Sequence, residues 1–514
     1  MERDPGCAAF LADQLVGCYR GRCAHLGAGI MVDWTGQNVL ILGAARQGLA
    51  LARYLATHGA KVILNDRRPA GEFRTAQADL TGLQLTWVFG GHPLELLDGV
   101  DLVCVSGGVP LDIPILQAAT QRGLPLSNDS QVFLDSAPCP VVGITGSAGK
   151  TTTTTLVGRI ALQALDPPKP TALRSPGFPS LPPPFTLTAY RQVWVGGNIG
   201  SPLIAVVDQM QAGDLAIVEL SSFQLELMTR SPQVAAILNL TPNHIDRHGS
   251  MQAYVSAKAR ALDFQSPGDV AILGRDDPGA WNLMGRVKGG LVSFGLRTRI
   301  ESPGTFLRDG QVTLVGDQAE MDLFPASLVR LRGEHNLQNV LAACAIAAAA
   351  GLPVAAMRAG VELFEGVPHR LEFVRTWRGS HWYNDSIATA PERAMAAIHS
   401  FEEPLVLLAG GRDKDLPWED FARLVRQRVR HLILFGEAAE KIATAVSRES
   451  AHVGQPGMNY PLMRCSGLEE AVQAASQLAR PGDVVLLSPG GTSFDEFRDF
   501  EERGECFKRL VMRL

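Results

Sequence analysis

An α/β protein of three domains, two Rossmann-like units flanking a central phosphate-loop unit with a parallel sheet, is predicted by three stretches of the sequence. Near the start, two short apolar runs enclose a Gly-containing turn and a helix-spaced segment. In the middle, residues 141–155 read VVGITGSAGKTTTTT, a β-branched run that stops at a Gly-rich turn and opens a helix. After Pro368, strand-like runs alternate with amphipathic helical stretches. The length of 514 residues agrees, since a single core stops growing well below it and domains of roughly 100–200 residues are usual.

Composition narrows the class. A hydrophobic content of 46% with 19% charged residues describes a soluble globular chain, and a net charge of −5 gives no basis for a nucleic-acid partner. No run of eighteen apolar residues occurs, so no membrane span is expected. The nearest candidate, Leu341–Leu352 (LAACAIAAAAGL), is Ala-rich and short and reads as a buried helix. The eight cysteines are scattered. Cys18 and Cys23, with His25 close by, have no second pair to complete a zinc site, so reduced thiols in a cytoplasmic protein are expected. Glu2, Arg3 and Asp4 and the lack of an apolar segment argue against a secretory signal. Structure is expected to begin near Met31, leaving residues 1–30 as a disordered extension or the product of a start codon assigned too early.

In the first domain, residues 31–137, Asn38–Leu42 (NVLIL) reads as a strand and Leu49–Thr57 as a helix. Lys61–Leu64 reads as a second strand ending at Asn65 and Asp66, and further strands fall at Leu102–Val105 and Leu124–Leu126. Ala45 takes the place of the middle glycine of a dinucleotide fingerprint. Pro138–Pro140 marks a boundary, and the central domain runs over residues 138–367. Within it, residues 166–184 hold eight prolines in nineteen positions. An insertion over residues 166–187 is therefore read as an extended surface loop. The third domain, residues 368–514, has predicted strands at His381–Tyr383, Pro404–Leu408, His431–Phe435 and Asp483–Leu487.

The turn Gly146-Ser147-Ala148-Gly149 aims backbone N–H groups and a helix N-terminus at phosphate oxygens. Lys150 adds a positive charge, and Thr151, followed by Thr152, offers a hydroxyl to Mg²⁺. The usual eight-residue pattern needs Gly where Ile144 stands. Val218–Leu225 (VELSSFQL) brings Glu219 to the end of an apolar run, where a carboxylate could hold Mg²⁺ beside phosphates. His244, Asp246 and His248 share one turn without the further spacing a zinc site needs. Lys258, in AYVSAKARALDF, reads by residue type as a solvated lysine. Asn336 in GEHNLQNVLAA reads as a helix cap.

The short loop TGSAGKTT resembles the nucleotide loop of the Mur ligases and folylpolyglutamate synthetases. Five further blocks agree in order: ELSSFQL, NLTPNHIDRH, GEHNLQNVLAA, VPHRLE with YNDSIAT, and LSPGGTSFDEFRDF with RGECF. Together they resemble the D-glutamate-adding branch of the Mur ligases over residues 31–514, apart from the proline insertion. The resemblance implies a cytoplasmic, monomeric ATP-dependent amide ligase of peptidoglycan synthesis with two Mg²⁺ ions. Its substrates would be UDP-N-acetylmuramoyl-L-alanine and D-glutamate, joined through an acyl phosphate.

By the same resemblance, Arg46, Gln47, Asp66 and Arg67 line the uracil pocket, and Ser106, Gly107, Asn198, Ser221 and Gln224 serve the rest of the UDP-substrate. Glu219, His244 and a carbamylated Lys258 join Thr151 as metal ligands. His335, Asn336 and Asn339 lie at the adenine, Arg370 at the phosphates and Asp385 at the ATP ribose. Thr389, Lys414, Ser493, Phe494 and Phe500 hold D-glutamate. Two positions depart from the family pattern. Asn243 stands where Asp is frequent, and Ile387 where the best-known members carry a Lys near the acidic substrate; Lys414, Arg412 or Arg393 would then serve that role. Two alternatives stay open: another amino-acid ligase of the superfamily, and an NAD-dependent oxidoreductase built on the first βαβ unit, disfavoured by Ala45. A catalytically dead relative is countered by the retention of Lys150, Thr151, Glu219, His244 and Lys258.

Overall fold

Strand-length apolar runs without polar alternation are hidden only when both faces of a sheet are covered, and this happens three times along the chain. A computed structural model describes residues 33–165, 190–198, 200–297, 303–316, 320–362, 364–452 and 460–514. The N-terminal extension (residues 1–30) and the proline-rich insertion (residues 166–187) of the sequence reading lie outside the described residues. The chain divides into two units, one reaching Arg330 and taking in Glu334–Phe364, the other formed by Leu331–Gly333 and Glu365–Leu514.

The first unit holds two sheets. Strands β1 (Asn38–Leu42), β2 (Lys61–Asp66), β3 (Leu85–Phe89), β4 (Leu102–Val105) and β5 (Leu126–Ser127) form a parallel sheet in the order β3-β2-β1-β4-β5. The helix Arg46–Thr57 starts three residues before the predicted one, because Arg46, Gln47 and Gly48 add no apolar period to the sequence. Gly48 is required there, since a Cβ would stand 1.9 Å from the Gly43 carbonyl oxygen. Leu124, expected in a strand, instead donates its N–H to Ala119 and closes the preceding helix. The strand order reverses between β1 and β4, a switch point that opens a crevice at the carboxyl ends of the strands.

The second sheet comprises β6 (Val141–Thr145), β7 (Val193–Gly197), β8 (Leu215–Glu219), β9 (Val234–Ile237), β10 (Val270–Gly274), β11 (Gly290–Gly295), β12 (Gly304–Arg308), β13 (Gln311–Val315) and β14 (Glu320–Pro325). Its order is β14-β13-β12-β11-β10-β9-β6-β8-β7, parallel from β7 to β12 and antiparallel beyond. The antiparallel extension turns at Asp309 and Gly310, both in the left-handed region (φ 47° and 76°), as a two-residue hairpin requires. β6, buried at every residue, has β8 on one side and β9 on the other. Helix Glu334–Ala349 is buried from Asn339 to Ala349 and starts two residues before Asn336, the cap the sequence suggests.

The second unit is a six-stranded sheet of β15 (Glu372–Trp377), β16 (Ser380–Asn384), β17 (Leu405–Gly410), β18 (Val429–Phe435), β19 (Leu462–Arg464) and β20 (Val484–Gly490), ordered β15-β16-β20-β17-β18-β19. Only the edge pair β15–β16 is antiparallel. Among the described residues no helix is long and apolar enough to cross a membrane.

Close packing in the first unit is testable at Gly360, in helix Val354–Glu362. A Cβ there would lie 2.7 Å from Ile160 Cγ1 and 2.9 Å from its Cα. Alanine gains about 1 kcal/mol of helix propensity, but the backbone contact forces the two helices apart. Gly360→Ala is expected to lose about 1–3 kcal/mol net, read as a lower denaturant midpoint; an unchanged or higher midpoint would show slack between the helices.

Candidate nucleotide and substrate sites

The turn from β6 into helix Lys150–Gln163 is fixed from below by the segment that follows β9. Ser147 N–H donates to the Asn239 carbonyl at 2.9 Å, and Ala148 N–H to Asn239 Oδ1 at 2.8 Å. Asn239 Nδ2 returns a bond to the Ala148 carbonyl at 3.1 Å. Ser147 Oγ lies 2.8 Å from the Thr241 carbonyl and 2.9 Å from Tyr254 Oη. Gly149 takes φ 82°, and a Cβ on it would stand 2.2 Å from Asn339 Oδ1, so glycine is needed there on two counts. Lys150 Nζ folds back to the carbonyls of Gly146 and Ser147, at 2.9 and 3.3 Å. The positive end of the helix and its first N–H groups therefore open onto the turn.

At the end of β8 the carboxylate of Glu219 is buried. Its Oε2 accepts from Thr151 Oγ1 and its Oε1 from Asn198 Nδ2, both at 2.9 Å. Lys258, read from residue type as solvated, is 1% exposed. It sits in helix Met251–Asp263, whose Tyr254 ring centroid is 5.0 Å from Nζ. Nζ donates to Thr145 Oγ1 at 3.1 Å and to the Gly146 carbonyl at 3.0 Å. Burial, reinforced by the Lys150 charge and opposed by Glu219, holds this ammonium well below the usual lysine range. The site therefore favours loss of the ammonium proton.

The Ser221–Gln224 pair forms a capping box for the short helix Ser222–Leu225. Gln224 reaches into the first domain, its Nε2 donating to Ser130 Oγ at 2.7 Å while its carbonyl accepts from Asn128 Nδ2 at 2.7 Å. His244 is an exposed residue at φ 54°, its ring centroid 5.2 Å from that of Phe223. His248 stacks on the other approach to Phe223 and lies 2.9 Å from Ser222 Oγ. Asn336, expected as a cap, lies inside the first turn of helix Glu334–Ala349 and accepts from Asn339 Nδ2 at 3.2 Å. His335 is exposed beside it, and Thr152 is buried.

At the switch point of the first domain, Ser106 Oγ donates to the Gly43 carbonyl at 2.9 Å. Gly107 lies near both Gln47 and Phe223, whose atoms a Cβ would meet at 3.7 and 3.9 Å. Arg46 and Arg67 are exposed. Asp66 is saturated: Oδ1 accepts from the N–H and Nε of Arg68, and Oδ2 from Ala44 N–H and Arg68 Nη2, at 2.8–3.0 Å. Burial raises its pKa, but these bonds outweigh it and hold the carboxyl near 2.

In the second unit, Asp385 follows β16, with Oδ2 accepting from Ser488 Oγ at 2.8 Å and Oδ1 from Leu371 N–H at 3.2 Å. Burial pushes its carboxyl up to about 7 against these bonds and the charges of Arg370 and Arg393. Arg370 sits between two left-handed residues, His369 (φ 63°) and Leu371 (φ 43°). Burial, then the Arg393 charge, lowers the pKa of the exposed Lys414. Arg412 is instead engaged twice by Glu437, at 2.9 and 3.1 Å. Ser493 is buried, Phe494 is 60% exposed, and Thr389 and Phe500 are half-buried.

Three positioning residues escaped the residue-by-residue sequence reading. Asn239 and Tyr254 brace the phosphate turn; an Asn just beyond an apolar run was the available signal for the first. Arg503 is fully buried, and its guanidinium donates to Ser386 Oγ, the Ser386 carbonyl and the Gly491 carbonyl at 2.9–3.2 Å. It thereby ties the loop after β16 to the loop after β20, and burial lowers its pKa to about 10.

Family models match the three domains in order: a MurD-like N-terminal domain of Mur ligases over residues 37–127, the Mur ligase middle domain over 144–347, and the Mur ligase glutamate ligase domain over 369–491. The UDP-N-acetylmuramoylalanine–D-glutamate ligase of Symbiobacterium thermophilum is 40% identical, covering 93% of this chain and 98% of its own. That of Pelotomaculum thermopropionicum is 38% identical, covering 94% and 99%. Two solved structures share the fold at 17% identity. The UDP-N-acetylmuramate-alanine ligase MurC of Thermotoga maritima has a TM-score of 0.51, covering 93% of this chain and 99% of its own, and MurF of Acinetobacter baumannii one of 0.52, covering 92% and 93%. Matched over 93–94% of its length by such relatives, and by three domain models in register with its three sheets, the chain belongs to the Mur ligase family.

Proposed function

We propose that this chain joins D-glutamate to the alanyl carboxyl of UDP-N-acetylmuramoyl-L-alanine at the expense of ATP, as a cytoplasmic, monomeric enzyme of peptidoglycan precursor synthesis. The observation that carries the reading is the half-buried Thr151 with the buried Glu219 and Lys258 at the phosphate turn, in a chain that matches D-glutamate ligases over nearly their whole length. The first domain of a dehydrogenase would leave that group unexplained.

The alanyl carboxylate attacks the γ-phosphorus of ATP, and the bond to the β-bridging oxygen breaks with its electron pair leaving on ADP. The D-glutamate amine then adds to the acyl phosphate carbonyl, and phosphate departs from the tetrahedral intermediate as the nitrogen loses its proton. Repulsion between the carboxylate and the triphosphate is the main electrostatic obstacle. Lys150 and the first N–H groups of helix Lys150–Gln163 supply the positive charge and partial charge that oppose it. Positioning of the reactants can contribute about 7–11 kcal/mol.

The Thr151 hydroxyl and Glu219 carboxylate are oxygen donors of the kind Mg²⁺ takes. No group of three His, Cys, Asp or Glu among the described residues is placed to hold a metal; phosphates and water would supply the remaining donors. Two ions are read from the resemblance, and the charge they supply is neutralisation of the phosphates. Lys258 is suited to carbamylation, in which its neutral amine forms an N–C bond to CO₂ and releases a proton, leaving an anion. Arg393 takes the role left open by Ile387. Arg412 is spent on Glu437, whereas Arg370 and Arg393 act on one another and on Asp385, Arg393 acts on Lys414, and none of the three has an ion-pair partner among the described residues.

Phosphate release with ATP, Mg²⁺ and UDP-N-acetylmuramoyl-L-alanine is expected with D-glutamate and not with L-glutamate, meso-diaminopimelate or no amino acid; release with another amino acid alone would move the specificity. Lys258→Ala is expected to lose about a hundredfold or more in kcat, with partial return on adding a small carboxylate such as acetate. Full activity without one would remove the carbamate from the mechanism. Arg393→Ala should raise the KM for D-glutamate about ten- to a hundredfold, the scale of a charge-assisted hydrogen bond, while leaving the KM for ATP near wild type. An unchanged D-glutamate KM would exclude Arg393 from that pocket.

A further inference from the structure

Asn65, the penultimate residue of β2 beside Asp66, is fully buried. Its Nδ2 donates to the Val88 carbonyl at 3.0 Å and the Gly91 carbonyl at 2.7 Å. Both amide hydrogens are thereby spent, which fixes the orientation of the amide and leaves Oδ1 purely an acceptor. His92 Nδ1 lies 2.5 Å from that Oδ1, so Nδ1 carries the hydrogen. A neutral imidazole protonated at Nδ1 presents a bare lone pair at Nε2. Loss of water around the half-buried ring, opposed by Asp66 and aided by Arg67, favours this neutral form. Nε2 has no hydrogen-bond partner among the described residues.

The ring stands at the nucleotide end of the domain. Gly90 N–H donates to the carbonyls of Asp66 and Arg68 at 3.1 and 3.3 Å, so the Gly90–His92 turn is stitched to the end of β2, at the carboxyl edge where open α/β sheets bind ligands. Asp66 is a poor acceptor for a ligand here, since its four lone-pair directions are taken by Ala44 and Arg68.

We infer that His92 is a specificity residue of the UDP-substrate site, its Nε2 accepting a hydrogen bond from the uridine moiety. This rests on the reading of the first domain as a UDP site. Uridine offers three donors: the uracil N3–H and the 2′- and 3′-hydroxyls of the ribose.

The test is a double-mutant cycle on the full chain, with binding of UDP, 3-methyl-UDP, 2′-deoxy-UDP and 3′-deoxy-UDP measured by calorimetry for wild type and His92→Phe. Deleting the donor that meets His92 is expected to cost wild type about tenfold more than it costs the variant, and the other two deletions to cost both proteins alike. The probe that shows the coupling tells base from sugar recognition. His92→Gln, which keeps an acceptor, is run beside it and should retain part of the coupling; it also serves if the phenylalanine variant does not fold. Equal penalties for all three analogues in wild type and variants would overturn the inference while leaving the UDP site standing. Failure of UDP itself to bind wild type would overturn both.

Discussion

Everything at the ATP end of the first unit follows from β6 being hydrogen-bonded between β8 and β9. A buried parallel strand with neighbours on both sides must leave the sheet at its carboxyl end, and the chain that leaves it is the phosphate turn. The neighbours leave at the same level. β8 delivers Glu219 to the hydroxyl of Thr151, and β9 delivers Asn239 to the backbone of Ser147 and Ala148. The register Ile144–Glu219 and Thr145–Ile237 sets these heights, so a one-residue slip would carry the carboxylate to the opposite face.

The arrangement is not one that stability would select. Burying Lys258 and Glu219 withdraws two ionisable groups from water, a loss that hydrogen bonds to Thr145, Gly146, Thr151 and Asn198 only partly offset. Apolar residues of similar volume would be expected to fold at least as well. The strain at Arg370, flanked by two non-glycine residues in the left-handed region, has the same character, each costing of order 1 kcal/mol or more. Such costs concentrate where a chain must hold charge in fixed positions.

What the sequence discloses and what it hides divide along physical lines. Buried parallel strands such as Asn38–Leu42 and Leu102–Val105 were legible to the residue, because nothing but a covered strand explains an unbroken apolar run. The phosphate turn was legible because glycine, lysine and hydroxyl residues at that spacing have one common use. Edge strands were not: β3 is only partly buried and β15 pairs on one side only, so neither shows a clean pattern. The hairpin of β12 and β13 carried its Asp-Gly signal at residues 309 and 310, unread among flanking polar residues. Lys258 was illegible from residue type, since a helical lysine looks the same solvated or buried; only the resemblance singled it out. Asn239, Tyr254 and Arg503 act through contacts distant in sequence, which no local pattern encodes.

Hydrogen bonds are distributed unevenly over the polar groups of the two units. Asp66, Ser147 and Arg503 have their donors and acceptors spent on neighbouring backbone or side chains, and a group so committed holds other groups in place. His92 Nε2 and the guanidinium groups of Arg370 and Arg393 have no such partner among the described residues, and neither does the Lys414 ammonium. Arg370 and Arg393 repel one another beside Asp385, and that repulsion is relieved when an anion binds. Asp385 cannot relieve it alone, because burial already drives its carboxyl toward the protonated state. The surroundings of Asp385 are therefore short of negative charge, and phosphate and an acidic amino acid are ligands of the kind that would supply it.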